Sequence, residues 1–207
     1  TSEVENKVIE EALAKKLRAS YYFMGSLLSK YHHVEMYFPG GCKIGKRPID
    51  YHIKGFEALG STVKIDGDKY IIDAPELNGT DITFDFPSVG ATINIMLAAV
   101  KANGQTRIFN AAKEPEIVNI ADFLKSMGAK IKGAGTDTIT ITGVKKLSKG
   151  NIYTIPDRIE AGTYIIAGAL AGDHLVIDKI EPKHLKSLLD TLKNMNVDYI
   201  LEENSII

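Results

Sequence analysis

Apolar and polar positions along the chain change period repeatedly, and the order of the changes recurs. Apolar residues fall at helical spacing over residues 20–31, and residues 34–38 then alternate as a half-buried strand does. A helix is expected over 50–59, followed by strands over 62–65 and 70–73 joined through an Asp66-Gly67-Asp68 hairpin turn. The order returns as a helix over 90–102, a strand over 106–110, a helix over 115–127 and strands over 130–132 and 138–141. A third round begins near Gly162.

The second helix of each round ends alike, at Gly60, Gly128 and Asn196, which stand 68 residues apart. Glycine and asparagine are the residues a helix uses where its backbone turns left-handed beyond the last turn. The same register aligns Leu59, Met127 and Met195, then Val63, Ile131 and Tyr199, then Ile71, Ile139 and Ile207. The fold class is therefore α/β, built of repeats of about 68 residues that stack to bury a shared core. A doubly wound sheet in which the interval is coincidental is the alternative.

Composition narrows the setting. The 207 residues carry a formal net charge of -1 and are 44% hydrophobic and 25% charged, an ordinary globular make-up. Such a balance argues against a nucleic-acid partner, which needs a basic face. The longest apolar stretch, over residues 164–170, falls far short of a membrane span, so no membrane is expected. Nothing reads as an export leader, and a single cysteine fits a reducing, cytoplasmic setting. With no initiator Met, and an apolar strand at the other end, the sequence reads as a truncated chain.

That cysteine lies in the segment Pro39-Gly40-Gly41-Cys42-Lys43-Ile44-Gly45-Lys46-Arg47-Pro48. Glycines let a backbone approach a ligand closely, and the basic residues favour thiolate. Read alone, the segment is equally a solvated glycine loop with an incidental thiol. Gly40, Gly45 and Lys46 also approach a phosphate-binding P-loop, but Arg47-Pro48 stands where that motif needs Ser or Thr for magnesium. Ser88-Val89-Gly90 opens a helix, which makes it a plain N-cap or an anion site of free backbone N–H groups. Asp157 and the Glu114-Pro115-Glu116 run read as helix starts. His32-His33 is expected to end a helix. His52 is conceivable as a partner for Cys42, with no third, orienting group evident. No cluster has metal-ligand spacing, and neither metal nor cofactor is expected.

Arg18-Ala19-Ser20, the Cys42 segment through His52, Ser88-Val89-Gly90-Ala91-Thr92, Asn110 through Ile117, Gly133 through Asp137 and Pro156 through Glu160 together resemble the UDP-N-acetylglucosamine 1-carboxyvinyltransferases of the enolpyruvyl transferase family. The likeness runs in order along nearly the whole chain. It implies a partial two-domain fold of inside-out α/β units, with 1–155 as the second and third units of the first domain and 156–207 as the first unit of the second. It implies transfer of the enolpyruvyl group of phosphoenolpyruvate to the 3′-hydroxyl of UDP-N-acetylglucosamine with release of phosphate. That reaction opens peptidoglycan synthesis and is the target of fosfomycin. Cys42 matches the family's acid, and Arg18 and Arg47 match its catalytic and substrate-contacting arginines. Pro48, Ile49, Asp50, Tyr51, Ser88, Val89 and Gly90 match the nucleotide-sugar contacts. Phe86 departs from members that carry a basic residue two places before the serine, which leaves diphosphate binding to Arg47 and backbone amides. Family members are about twice this length, and their catalytic aspartate and phosphoenolpyruvate-binding arginines have no match in these residues, so the chain alone is expected to be inactive.

Overall fold

A computed structural model describes residues 8–40, 48–172 and 174–207. The chain divides into two compact units, the first ending at Ile152 and the second beginning at Tyr153.

The first unit opens with a single helical turn, α1 (Glu11–Ala14), and a 3-10 turn over Arg18–Tyr21 that leads into α2 (Tyr22–Tyr31). Then come β1 (His33–Tyr37), α3 (Asp50–Ala58), β2 (Thr62–Asp66) and β3 (Lys69–Asp73). The second round adds β4 (Asp81–Thr83), α4 (Val89–Ala99), β5 (Gln105–Phe109), α5 (Pro115–Ser126), β6 (Lys130–Lys132) and β7 (Thr138–Thr142). The first sheet has the order β1-β3-β2 and the second β4-β5-β7-β6, so β5, β7 and β6 hold the places of β1, β3 and β2. Both triplets are antiparallel, and β4 joins β5 in parallel. An antiparallel β1 beside β3 lacks the strand–helix–strand setting a P-loop requires.

Helices occupy the middle. Eight of the eleven residues of α4 are buried, including Ile93, Ile95 and Met96, which is the mark of a helix without a solvent face. Gly25 of α2 and Gly55 of α3 allow the close approach: a Cβ at Gly25 would fall 2.2 Å from the Asn94 carbonyl oxygen, and one at Gly55 2.0 Å from Ile95 Cδ1. The sheets lie outside, each presenting an apolar inner row. Met36 and Ile72 supply it in the first, Ile108, Ile139 and Ile141 in the second.

The second unit repeats part of this plan with α6 (Arg158–Ala171), β8 (Ile177–Asp178), a 3-10 turn over Pro182–Leu185, α7 (Lys186–Asn194) and β9 (Ser205–Ile206). Its core gathers Ile165, Ile180, Leu185, Leu189, Leu192 and Ile206. Helix α6 starts at Arg158, ahead of Gly162, because Asp157 caps it, accepting from the N–H groups of Ile159 (2.8 Å) and Glu160 (3.1 Å). Tyr199, expected in a strand, lies outside one; pairing begins at Ile200, which exchanges backbone hydrogen bonds of 2.9 Å with Ile207. His33 does not end a helix: α2 closes at His32 (φ 60°), and His33 pairs with Asp73 across the sheet. Among the described residues no helix is long and apolar enough to cross a membrane.

Candidate functional site

Arg18 sits on a turn that is held from beneath. The buried Ser20 hydroxyl donates to the Ala14 carbonyl (3.1 Å), and the Gly40 N–H donates to the same oxygen (3.2 Å). A Cβ at Gly40 would lie 2.4 Å from the Lys15 carbonyl oxygen, so a side chain would not fit where the glycine-rich segment begins. That segment therefore starts against the Arg18 turn. Cys42, Lys43, Lys46 and Arg47 lie outside the described residues.

The guanidinium carbon of Arg18 stands 5.7 Å from the centre of the Tyr21 ring, and Tyr21 meets the imidazole of His52 edge-on at 4.8 Å. His52 projects from the first turn of α3, where Asp50 favours the positive end of the helix dipole. Helix α4 starts beside it. A Cβ at Gly90 would lie 2.9 Å from Tyr21 Oη and 3.0 Å from both Cε1 and Nε2 of His52, so glycine keeps this junction open. Ser88 caps α4, its hydroxyl accepting from the Ala91 N–H at 3.3 Å.

Arg18, the Asp50–His52 turn and Gly90, from three separate stretches of sequence, thus meet where two helices begin. Tyr51 packs edge-on against Phe84 (ring centres 5.7 Å apart), and Pro48 is exposed ahead of α3. Ile49 is 5% exposed and belongs to the core, so only its backbone can face a ligand. Val89, half-buried, offers a backbone N–H in the first turn of α4.

Asn94, absent from the residues singled out by sequence, organises the junction. It is fully buried; Oδ1 accepts from the Gly25 N–H (2.9 Å), and Nδ2 donates to the Tyr21 carbonyl (2.9 Å) and to His52 Nδ1 (2.8 Å). The one signal for it was an asparagine in an otherwise apolar run, Ile93-Asn94-Ile95-Met96. It is also the orienting group for His52. Burial first, then the nearby Arg18 cation, pushes the His52 pKa down to about 4, with Asp50 opposing weakly. His52 is a neutral imidazole near pH 7.

The motifs over residues 110–117 and 133–137 brace this arrangement. Asn110 Nδ2 donates to the Phe84 carbonyl (2.9 Å), the Ala111 N–H to the Asp137 carbonyl (2.9 Å) and the Ala112 N–H to Thr92 Oγ1 on α4 (3.2 Å). Among the described residues no group of His, Cys, Asp and Glu has a metal-binding geometry.

The whole chain, residues 1–207, matches the family described as EPSP synthase (3-phosphoshikimate 1-carboxyvinyltransferase). It is 54% identical over 192 residues to a UDP-N-acetylglucosamine 1-carboxyvinyltransferase of Clostridium botulinum, covering 93% of this chain and 46% of the relative. It is 49% identical over 207 residues to UDP-N-acetylglucosamine 1-carboxyvinyltransferase 2 of Staphylococcus aureus, covering 100% of this chain and 49% of that one. The chain spans about half the length of the curated relatives it matches. Among solved structures it resembles the enolpyruvyl transferase NikO of Streptomyces tendae, with a TM-score of 0.84 at 22% identity over 98% of this chain and 49% of that one. EPSP synthase of Acinetobacter baumannii gives 0.63 at 20% identity, over 91% and 44%. At such identities these two likenesses speak for the fold.

Proposed function

The chain belongs to the EPSP synthase family of enolpyruvyl transferases, and from that premise we propose that the protein it forms transfers the enolpyruvyl group of phosphoenolpyruvate to the 3′-hydroxyl of UDP-N-acetylglucosamine, releasing phosphate. Relatives at about half identity carry the name of this reaction, and the sequence holds the Cys42 segment on which the resemblance to them rests. The observation that carries the reading is the meeting of Arg18, Asp50, His52 and Gly90, drawn from three of the motifs behind the resemblance. We assign residues 1–155 to the second and third units of the cysteine-bearing domain, and residues 156–207 to the first unit of the other domain. The reaction would open peptidoglycan synthesis in the cytoplasm.

In this reading Cys42 protonates the methylene carbon of phosphoenolpyruvate, leaving a cationic centre at the neighbouring carbon. The sugar 3′-oxygen bonds to that carbon and gives up its proton. Removal of a proton from the new methyl group and cleavage of the carbon–oxygen bond to phosphate restore the double bond. A thiol of ordinary pKa, about 8.5, is mostly protonated at neutral pH and can donate. Arg18, Arg47 and the free N–H groups of Val89 and Gly90 suit phosphoryl oxygens, a guanidinium by its fork and amides at a helix start by their dipole. Pro48 to Tyr51, with Ser88, line the nucleotide. Phe86, 67% exposed, stands where the resemblance implies a cation in some members of the family.

Substitution of Cys42 in the full-length protein tests this assignment. Cys42→Ser should lose turnover, since a hydroxyl is far too weak an acid, whereas Cys42→Asp should keep it and resist fosfomycin, which needs a sulfur nucleophile. Near-normal turnover in Cys42→Ser would remove the acid from this residue.

A further inference from the structure

The two sheets of the first unit treat their outward cations differently. In the first, Lys69 of β3 pairs with Glu35 of β1 (2.5 Å), and His33 meets Asp73 at 2.6 Å. In the second, Lys130 and Lys132 of β6 stand opposite Thr142 and Thr140 of β7, and neither makes an ion pair among the described residues. These two rows run on to Gln105 and to Arg107 of β5, and the Arg107 guanidinium is already held by Asp81 (Nε to Oδ1, 2.7 Å). The imbalance is wider than the sheet. Residues 101–149 hold nine Lys and Arg against four Asp and Glu, in a chain whose net charge is -1. An open groove of about 680 Å³ lies here, lined by Lys125 from the last turn of α5, Lys130, Lys132, Gln105, Thr140 and Thr142.

Strand β6 is also the last of its sheet, with β7 as its one neighbour. The outer edge of such a strand offers unpaired N–H and C=O groups to another chain. Two lysines repel a second β6, which rules out the same edge of another copy, and they attract an acidic strand. Lys130 and Lys132 are two residues apart and so share one face. Carboxylates at alternate positions of an added strand come level with both. We propose that this groove and edge are a docking surface for an extended acidic segment of a partner protein, which adds as a strand beside β6 and sets its carboxylates against Lys130 and Lys132. The groove borders the end of α5, whereas the candidate site gathers the starts of α3 and α4. The docking surface is therefore independent of the transferase reading.

Two labelled octapeptides of equal charge separate strand addition from attraction alone. One alternates Thr and Glu, and the other carries the same residues with the Glu in a single block. Fluorescence anisotropy with the full-length protein should show the alternating peptide binding several-fold tighter. The double variant Lys130→Glu/Lys132→Glu should weaken that binding by about tenfold or more, the scale of two exposed charge pairs lost and reversed. Lys64→Glu, on the edge strand of the first sheet, should leave it unchanged. Equal binding of the two peptides, no binding of either, or a double variant that binds as the wild type does would overturn the proposal. Sedimentation with phosphatidylglycerol vesicles tests the other anionic partner. Capture of the wild type but not of the double variant, with no preference between the peptides, would overturn strand addition in favour of a lipid surface.

Discussion

His52 shows how a single buried side chain couples stability to pH. Its folded pKa of about 4 lies below the ordinary value of 6.5, so the unfolded chain binds a proton between those limits that the folded protein refuses. The contribution of the neutral ring is complete above pH 6.5 and is lost as pH falls towards 4. The full difference amounts to about 3 kcal/mol. Denaturation of the full-length protein at stepped pH should show this loss, and His52→Asn, which cannot titrate there, should show a flatter profile. Parallel profiles for the two proteins would place the pH dependence elsewhere. The residue was visible in the sequence as a histidine near a cysteine, but its orienting partner was not. Asn94 lies 42 positions away, and only the packing of α3 on α4 brings the two together. Ile49 sits in a matching motif while its side chain fills the core, so a contact there falls to its backbone.

At the scale of elements, the three helix ends carry the repeat most clearly. Helices α3, α5 and α7 stop at Ala58, Ser126 and Asn194, and the next residue but one adopts positive φ each time: Gly60 (99°), Gly128 (102°) and Asn196 (56°). The backbone bonds repeat as well. Ser61, Ala129 and Val197 donate to Phe56, Leu124 and Leu192, and Gly60, Gly128 and Asn196 donate to Glu57, Lys125 and Lys193. These are the paired bonds of a Schellman ending. A Cβ at Gly128 would meet nothing within 4 Å, so Gly128→Ala isolates the backbone cost, about 1–2 kcal/mol for a left-handed residue. Asn196→Gly should instead leave stability unchanged or raise it by a few tenths of a kcal/mol, since Asn already tolerates this region. Chemical denaturation of the full-length protein reads both, and a neutral Gly128→Ala would deny that the left-handed turn constrains the repeat. These endings were legible because glycine and asparagine announce them. Strand β4 was not: three residues with one apolar position, Ile82, carry too little alternation, and its pairing with β5 depends on residues 26 places on. The third round loses its expected strand at Tyr199 for a similar reason, its pairing being confined to residues 200–207 and the short β8.

At the scale of the whole molecule, the two units differ in how fully they bury equivalent helices. Helix α4 is enclosed by α2, α3 and the sheets, whereas α6 buries only Ala161, Gly162 and Ile165 and exposes Ile159, Tyr164, Ile166 and Leu170. The alternation of helical and strand periods makes the architecture legible in the sequence, because each unit repeats one order of elements. The acceptor specificity is a matter of the site. The family takes its description from 3-phosphoshikimate, whereas the relatives at about half identity are named for UDP-N-acetylglucosamine. The deciding measurement is phosphate release from phosphoenolpyruvate by the full-length protein with each acceptor in turn. Release that requires UDP-N-acetylglucosamine, is absent with 3-phosphoshikimate, and is absent from the 207-residue chain alone is the predicted result. Release driven by 3-phosphoshikimate, or by neither acceptor, would contradict it.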